Sequence, residues 1–212
     1  MFFKKHPDSH WLLDLNKHRV NDLKAQNIKK YGTNGANWRG PHYGENGEDG
    51  VLSYLFDFIQ PQTNFAVDIG ASSGYGGSNV RHIVDKFGWH SLEFEYTKKW
   101  SSHNTNHPNV LNARVTPQNV CSLVAKNGNS FIDLLSLDID SMDWYVLYSL
   151  LKGGFEPNVT ILEYNPIFNE YEDFVRKYDE KFNKDSSPAY GASLKSFEIL
   201  MKKFGHTLIH VF

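Results

Sequence analysis

Residues 65–79 read Phe-Ala-Val-Asp-Ile-Gly-Ala-Ser-Ser-Gly-Tyr-Gly-Gly-Ser-Asn, and this stretch decides the fold. A short apolar run ends in an acid, Asp68, and a glycine-rich turn then opens onto a helix. In such a unit the glycines let backbone come close to a ligand, and the acid at the strand's carboxyl end accepts hydrogen bonds from a polar or cationic group. The frame is acid-x-Gly-x-x-x-Gly, from Asp68 through Gly70 to Gly74, not the Gly-x-Gly-x-x-Gly of dinucleotide sites. A nicotinamide or flavin turn is aimed at a pyrophosphate. S-adenosylmethionine (SAM) has no phosphate but carries an ammonium, a carboxylate and a sulfonium, so an acid beside the turn suits it better. A bare chain reversal would need the glycines alone; acid, glycines and helix start coincide here.

Working outward, Glu48-Asp49 opens a helix carrying Val51, Leu52, Leu55, Phe56 and Ile59, with its acids where the helix dipole favours them. Downstream the pattern predicts helices near 77–87, 117–126, 143–151 and 193–204, and strands near 91–95, 109–113, 131–137, 158–163 and 206–211. Apolar runs such as 131–137 lack clean alternation, as expected when both sheet faces are covered. Alternating strands and helices give an α/β class: a doubly wound, mostly parallel Rossmann-like sheet with helices on both faces. Residues 1–43 read as an N-terminal helical arm entering a Gly/Asn-rich loop that runs over 31–47, and residues 44–212 as one domain.

Bulk composition narrows the classes. A formal charge of -2 leaves no electrostatic footprint for nucleic acid or an anionic membrane. The single Cys121 excludes an intrachain disulfide framework and a cysteine-rich metal site. Neither a signal-peptide core nor a long apolar span is visible, so the expected location is cytoplasmic. None of the ten histidines forms a His-x-x-x-His or Glu-x-x-His pair on an expected helix, so a zinc centre is not expected; His42, inside the long loop, is the one candidate general base or substrate contact.

In a doubly wound sheet, ligands bind outside the carboxyl ends of the strands. Glu95 ends one such strand at the distance from the glycines where an acid takes both ribose hydroxyls, and Glu93 is a deeper, weaker candidate. Leu135-Ser-Leu-Asp-Ile-Asp-Ser-Met-Asp143 puts Asp138 and Asp140 at a strand tip and leaves Asp143 to the start of the next helix. Glu163, in Leu162-Glu-Tyr-Asn-Pro166, ends the following strand and should stand beside Asp138. Two oxygen-rich tips could hold Mg²⁺ or bracket a substrate hydroxyl.

Taken together these residues resemble the FkbM-type branch of class I SAM-dependent methyltransferases. The likeness runs through Asn46-Gly-Glu-Asp-Gly-Val-Leu52, Val67-Asp-Ile-Gly-Ala-Ser-Ser-Gly74 with Ser78-Asn79, and Gly88-Trp89. It continues through Val115-Thr-Pro-Gln-Asn-Val120, Asp133-Leu-Leu-Ser-Leu-Asp-Ile-Asp140, Leu162-Glu-Tyr-Asn-Pro166 and Gly191-Ala-Ser-Leu194. The resemblance implies a seven-stranded methyltransferase sheet, SAM as methyl donor, and hydroxyls of sugars or glycosylated small molecules as acceptors. It implies that Asp68, Gly70, Ser72 and Gly74, with Asn79, hold the amino-acid end of SAM and Glu95 its ribose, and that Asp138 and Glu163 match cation ligands of metal-dependent relatives. Two departures stand out. Ser141-Met142 replaces a common Gly-Asn, which is awkward if Ser141 needs a positive φ. The sequence also ends at Phe212, before the family's last antiparallel strand. The expectation is a sheet one strand short, open to homo-oligomer pairing at the C-terminal edge, or an edge covered by the N-terminal arm or another chain.

The expected chemistry is methyl transfer to oxygen, with Asp140 as the base and His42 in reserve. Two rivals remain at this stage: a nucleotide-sugar glycosyltransferase using Asp138-x-Asp140 to hold Mg²⁺, and a non-catalytic SAM-fold interaction module.

Overall fold

The computed structural model describes residues 1–4, 48–74, 76–96, 110–182 and 184–211. The arm at 8–30, the loop at 31–47 and His42 therefore lie outside the described residues. The elements run β1 (Phe2–Lys4), α1 (Glu48–Phe58), β2 (Phe65–Ile69), α2 (Arg81–Phe87), β3 (His90–Glu95), β4 (Val110–Asn112) and α3 (Val120–Val124). They continue through β5 (Phe131–Leu137), α4 (Asp143–Lys152), β6 (Glu156–Leu162), α5 (Leu194–Lys203) and β7 (His206–Leu208).

The seven strands form one sheet in the order β4-β3-β2-β5-β6-β1-β7. The first four neighbouring pairs are parallel, and β1 is antiparallel to both β6 and β7. Successive side chains along a strand feed opposite faces. Val67, Ile69, Leu135 and Leu137 therefore pack with Val124, Leu147, Leu150 and Phe197 of α3, α4 and α5. Ala66, Leu134, Val159 and Ile161 pack instead with Leu52, Leu55 and Ile83 of α1 and α2. Both faces are dry, which is why these strands read as unbroken apolar runs. The expected α/β sandwich with helices on both faces is what the chain forms. No described helix is long and apolar enough to cross a membrane.

Two features correct the sequence reading. The sheet is not a strand short: Phe2–Lys4 fills the antiparallel position, with Phe2 opposite Thr160 on one side and Leu208 on the other. Phe2 enters one core layer and Phe3 the other, so three residues suffice for a strand with both faces buried. Residues 2–4 thus belong with the sheet rather than with the arm that follows them. The last strand is also shorter than expected, ending at Leu208.

One buried charge fixes the amino end of the sheet. Asp133, fully buried within β5, accepts hydrogen bonds from Gln62 N and Thr63 N at 2.8 Å each and from Thr63 Oγ1 at 2.7 Å. A carboxylate saturated by donors tolerates burial. The strand order reverses direction between β2 and β5, so the ligand crevice of this topology lies above their carboxyl ends.

Candidate functional site

At that point a cavity of about 520 Å³ opens, lined by the turn after β2, the tip of β3, the residues after β4 and the loop after β5. Its geometry starts from a backbone contact. Gly70 has φ +95°, and a Cβ there would stand 1.6 Å from the carbonyl oxygen of Asp138. Only glycine allows the two strand tips to meet this closely. The ladder runs into the tips: Asp138 N donates to Ile69 O at 2.9 Å and Gly70 N to Phe94 O at 2.9 Å.

Glu95 and the turn are tied together. Glu95 Oε2 accepts from Ser72 N at 2.9 Å, with Ser72 in the left-handed region at φ 50°. Gly70, Ser72, Asn79 and Glu95 all line the cavity, as their sequence positions suggested. Asn79 Nδ2 also donates to Ser136 Oγ at 3.2 Å, which orients it toward β5.

Asp68 and Gly74 are placed differently. Asp68 is buried beneath the turn and takes Ser78 Oγ at 2.7 Å; it is not part of the cavity wall. Burial lifts its carboxyl to about 7, against the opposing pull of the Ser78 hydrogen bond. Its service to the site runs through Ser78, whose hydroxyl also accepts from Arg81 N at 3.2 Å at the start of α2. Gly74 closes the turn by donating to Ala71 O at 2.8 Å, and it too stays out of the wall. Glu93 is buried in mid-strand, where Ser91 Oγ donates to it at 2.7 Å.

The loop after β5 brings three acids together. One carboxylate oxygen from each of Asp138, Asp140 and Glu163 lies within 4.8 Å of the other two. The positive φ falls on Asp140, at 56°, and not on Ser141, so the Ser-Met sequence brings no strain at the position where it was expected. Aspartate accepts this conformation more readily than most residues. Asp143 is structural: its two oxygens accept from Ile139 N at 2.8 Å and Ser141 N at 3.0 Å, holding the loop in shape. Burial lifts Asp143 to about 6.

Glu163 is raised to about 9, first by burial and then by the charge of Asp138 and a hydrogen bond shared with it. Two carboxyls this close keep a proton between them. Asp140 is instead neutralised by Lys184, whose ammonium pairs with Oδ2. Asn165, a turn signal in the sequence, donates to Pro188 O at 2.7 Å and Tyr190 O at 3.0 Å. That anchoring sets Tyr190 OH 3.5 Å from Glu163 Oε1 as donor.

Sequence reasoning missed Glu48, Arg114, Lys184 and Tyr190. Glu48, 5% exposed at the start of α1, was read as a dipole-favoured acid, yet it lines the cavity. Lys184 lies in an irregular stretch with no periodicity to place it. A second cavity of about 330 Å³ adjoins the first and shares Glu48, Asn79 and Asp138 as its wall.

No family profile matches the sequence. No curated protein matches it either. Among solved structures, a SAM dependent methyltransferase from Archaeoglobus fulgidus is similar, with a TM-score of 0.46 and 13% identity over 86% of this chain and 73% of that one. A likeness at that level supports no statement about the activity or ligand of this chain.

Proposed function

We propose that this chain is a SAM-dependent methyltransferase acting on a hydroxyl of a small molecule. The observation that carries the reading is the charge of the cavity wall beside the Gly70 turn. Among the described residues, four carboxylates face it, from Glu48, Glu95, Asp138 and Asp140, against two cations, Arg114 and Lys184. Both cations are already engaged, Arg114 with Glu180 and Lys184 with Asp140. An acid-rich wall of this kind suits a ligand bearing an ammonium and a sulfonium better than a pyrophosphate. In this reading Glu95 takes the ribose hydroxyls and the Gly70–Ser72 backbone the amino-acid end; Glu95 lines the cavity and accepts from Ser72 N, which ties the two together.

The sulfonium donor supplies an electrophilic methyl group. The protein then has to align a hydroxyl oxygen behind that carbon and take one proton. Asp140 is the proton acceptor in this reading, oriented by its ion pair with Lys184. The bound donor would give its methyl carbon to that oxygen and leave as the neutral thioether, while the hydroxyl proton would pass to the Asp140 carboxylate. The FkbM-type branch and a carbohydrate acceptor rest on the sequence resemblance alone.

Mg²⁺ is a second occupant that the acid trio suits, since a hard cation takes oxygen donors and these three are oxygen-only. It would sit among Asp138, Asp140 and Glu163 and polarise the acceptor oxygen. Glu163 would have to give up its proton and Lys184 its partner. The experiment for the donor site is calorimetric titration with S-adenosylhomocysteine against a UDP-sugar with Mg²⁺. Preference for the UDP-sugar would turn the reading toward a glycosyltransferase.

A further inference from the structure

We infer that Arg176, which lines neither cavity, is a positioning residue for the donor: it holds Phe182 against the first cavity as a stacking surface for a flat, uncharged base. This rests on the donor reading above, in which Glu95 takes the ribose and the Gly70–Ser72 backbone the amino-acid end, with the base still unassigned.

The irregular stretch after β6 is fastened at alternate residues. Tyr178 donates from its hydroxyl to Gln118 Oε1 at 3.2 Å, just ahead of α3, and from its N–H to the Tyr145 hydroxyl of α4 at 3.2 Å. Glu180 is tied to Arg114, beyond β4, through both its main-chain carbonyl and its carboxylate. Lys184 pairs with Asp140, beyond β5. Phe182 falls between the last two anchors and lines the first cavity with Tyr96, Arg114 and Lys184. Ion pairs as exposed as these add little, so the ring needs a firmer holder. Arg176 supplies it. Its guanidinium lies over the Phe182 ring, 3.9 Å from the ring centre. The same guanidinium donates to Ala189 O at 2.8 Å and to Ser187 Oγ at 3.4 Å, and the Arg176 N–H donates to Gly191 O at 3.0 Å. A cation over one face of a ring draws on the electron density that a second cation would need at the other. A sulfonium or ammonium is therefore disfavoured beyond Phe182, whereas a neutral flat base keeps the full stacking contact. Arg114 also lies 5.5 Å from the Tyr96 ring centre, which joins Tyr96 and the Glu180–Phe182 turn at one end of the cavity. Tyr96 directly follows Glu95, so this aromatic end adjoins the proposed ribose contact, as the covalent order of base and ribose requires.

The test is calorimetric titration of the full chain and its variants with two probes. One is S-adenosylhomocysteine; the other is 5′-methylthioadenosine, which keeps base and ribose but lacks the amino-acid end. Phe182 is half-buried, so replacing it empties no core site. Phe182→Leu should weaken both probes by about tenfold, as loss of one base–aromatic stack does, and Phe182→Tyr should stay within about threefold of wild type. Arg176→Met should weaken both by about three- to tenfold. Added to Phe182→Leu it should cost no more than about twofold further, because it acts through the ring. Multiplied losses in the double variant overturn the positioning role, as does unchanged affinity in Arg176→Met. Unchanged S-adenosylhomocysteine affinity in Phe182→Leu overturns the base contact. So does a loss not shared by 5′-methylthioadenosine, or failure of the wild type to bind that probe while it binds S-adenosylhomocysteine. Wild-type binding that ignores both substitutions sinks this inference alone; a wild type that binds neither probe sinks the donor reading and this inference with it.

Discussion

Gly70 lies against Asp138 so closely that a single added methyl would stand 1.6 Å from the Asp138 carbonyl oxygen. This contact joins the turn that would hold the donor to the loop that carries the proposed base. Any change at Gly70 must move one of them. Gly70→Ala also forces an L side chain to φ +95°. The expected outcome is a loss of stability of about 3 kcal/mol or more in urea unfolding, together with loss of S-adenosylhomocysteine binding. A variant of normal stability that binds the nucleoside normally would show that the contact is slack.

Asp140 and Lys184 separate chemistry from binding. Asp140→Asn keeps the size and polarity of the side chain and removes proton acceptance. Turnover should fall by about 10²–10⁴-fold while S-adenosylhomocysteine affinity stays within about threefold. Unchanged turnover across pH would remove Asp140 from the mechanism. Lys184→Met leaves Asp140 without its ion pair, so turnover should fall while S-adenosylhomocysteine affinity stays within about threefold.

Glu95 has two tasks, one toward Ser72 N and one proposed toward ribose. Glu95→Gln retains an oxygen for Ser72 N and removes the charge. S-adenosylhomocysteine affinity should drop by about 10–100-fold, the range for a hydrogen bond to a charged group. Equal affinity in wild type and variant would move the ribose elsewhere.

Stability should depend on pH through the buried acids. Asp68 is raised to about 7 and Asp143 to about 6, each from an ordinary 3.8. The folded state therefore holds protons that the unfolded chain has already released. Their contribution is complete below pH 3.8 and is lost as pH rises toward 6 and 7. The slope is about 1.4 kcal/mol per pH unit for each proton retained. Urea midpoints at several pH values should decline over this window, and Asp68→Asn should flatten its upper part. A wild-type midpoint that rises through the same window would contradict the sign.

Phe2 measures how much the inserted strand matters. It is 2% exposed and pairs across both β6 and β7. Phe2→Ala should cost about 3–5 kcal/mol, as for other buried aromatic truncations. A change under about 1 kcal/mol would mean that the strand only rests on the sheet.

The sheet was legible in the sequence because its strands are buried on both faces and its helices carry apolar stripes. Residues 131–137 form β5 with the predicted limits. The meeting of the acidic strand tips at one edge of the sheet was legible too, with Glu95, Asp138 and Asp140 on the larger cavity and Glu163 on the adjoining one. Phe2–Lys4 was not, because three residues are too few for any period and their partners lie more than 150 positions away. The setting of Asp68 below the cavity wall was hidden for a different reason. Sequence locates the acid at the strand end but not which face it takes, and Ser78 holds it inward. Lys184 and Tyr190 sit in a stretch organised by Asn165 and Arg176 side-chain bonds to the backbone, a pattern without sequence periodicity.

The most direct measurement is calorimetric titration of the purified chain with S-adenosylhomocysteine, with UDP and NAD as controls. Saturable one-to-one binding of the thioether nucleoside, weakened by Glu95→Gln and stronger than either phosphate-bearing control, is the predicted result. No heat from the nucleoside, with UDP or NAD saturating the same cavity, would contradict it.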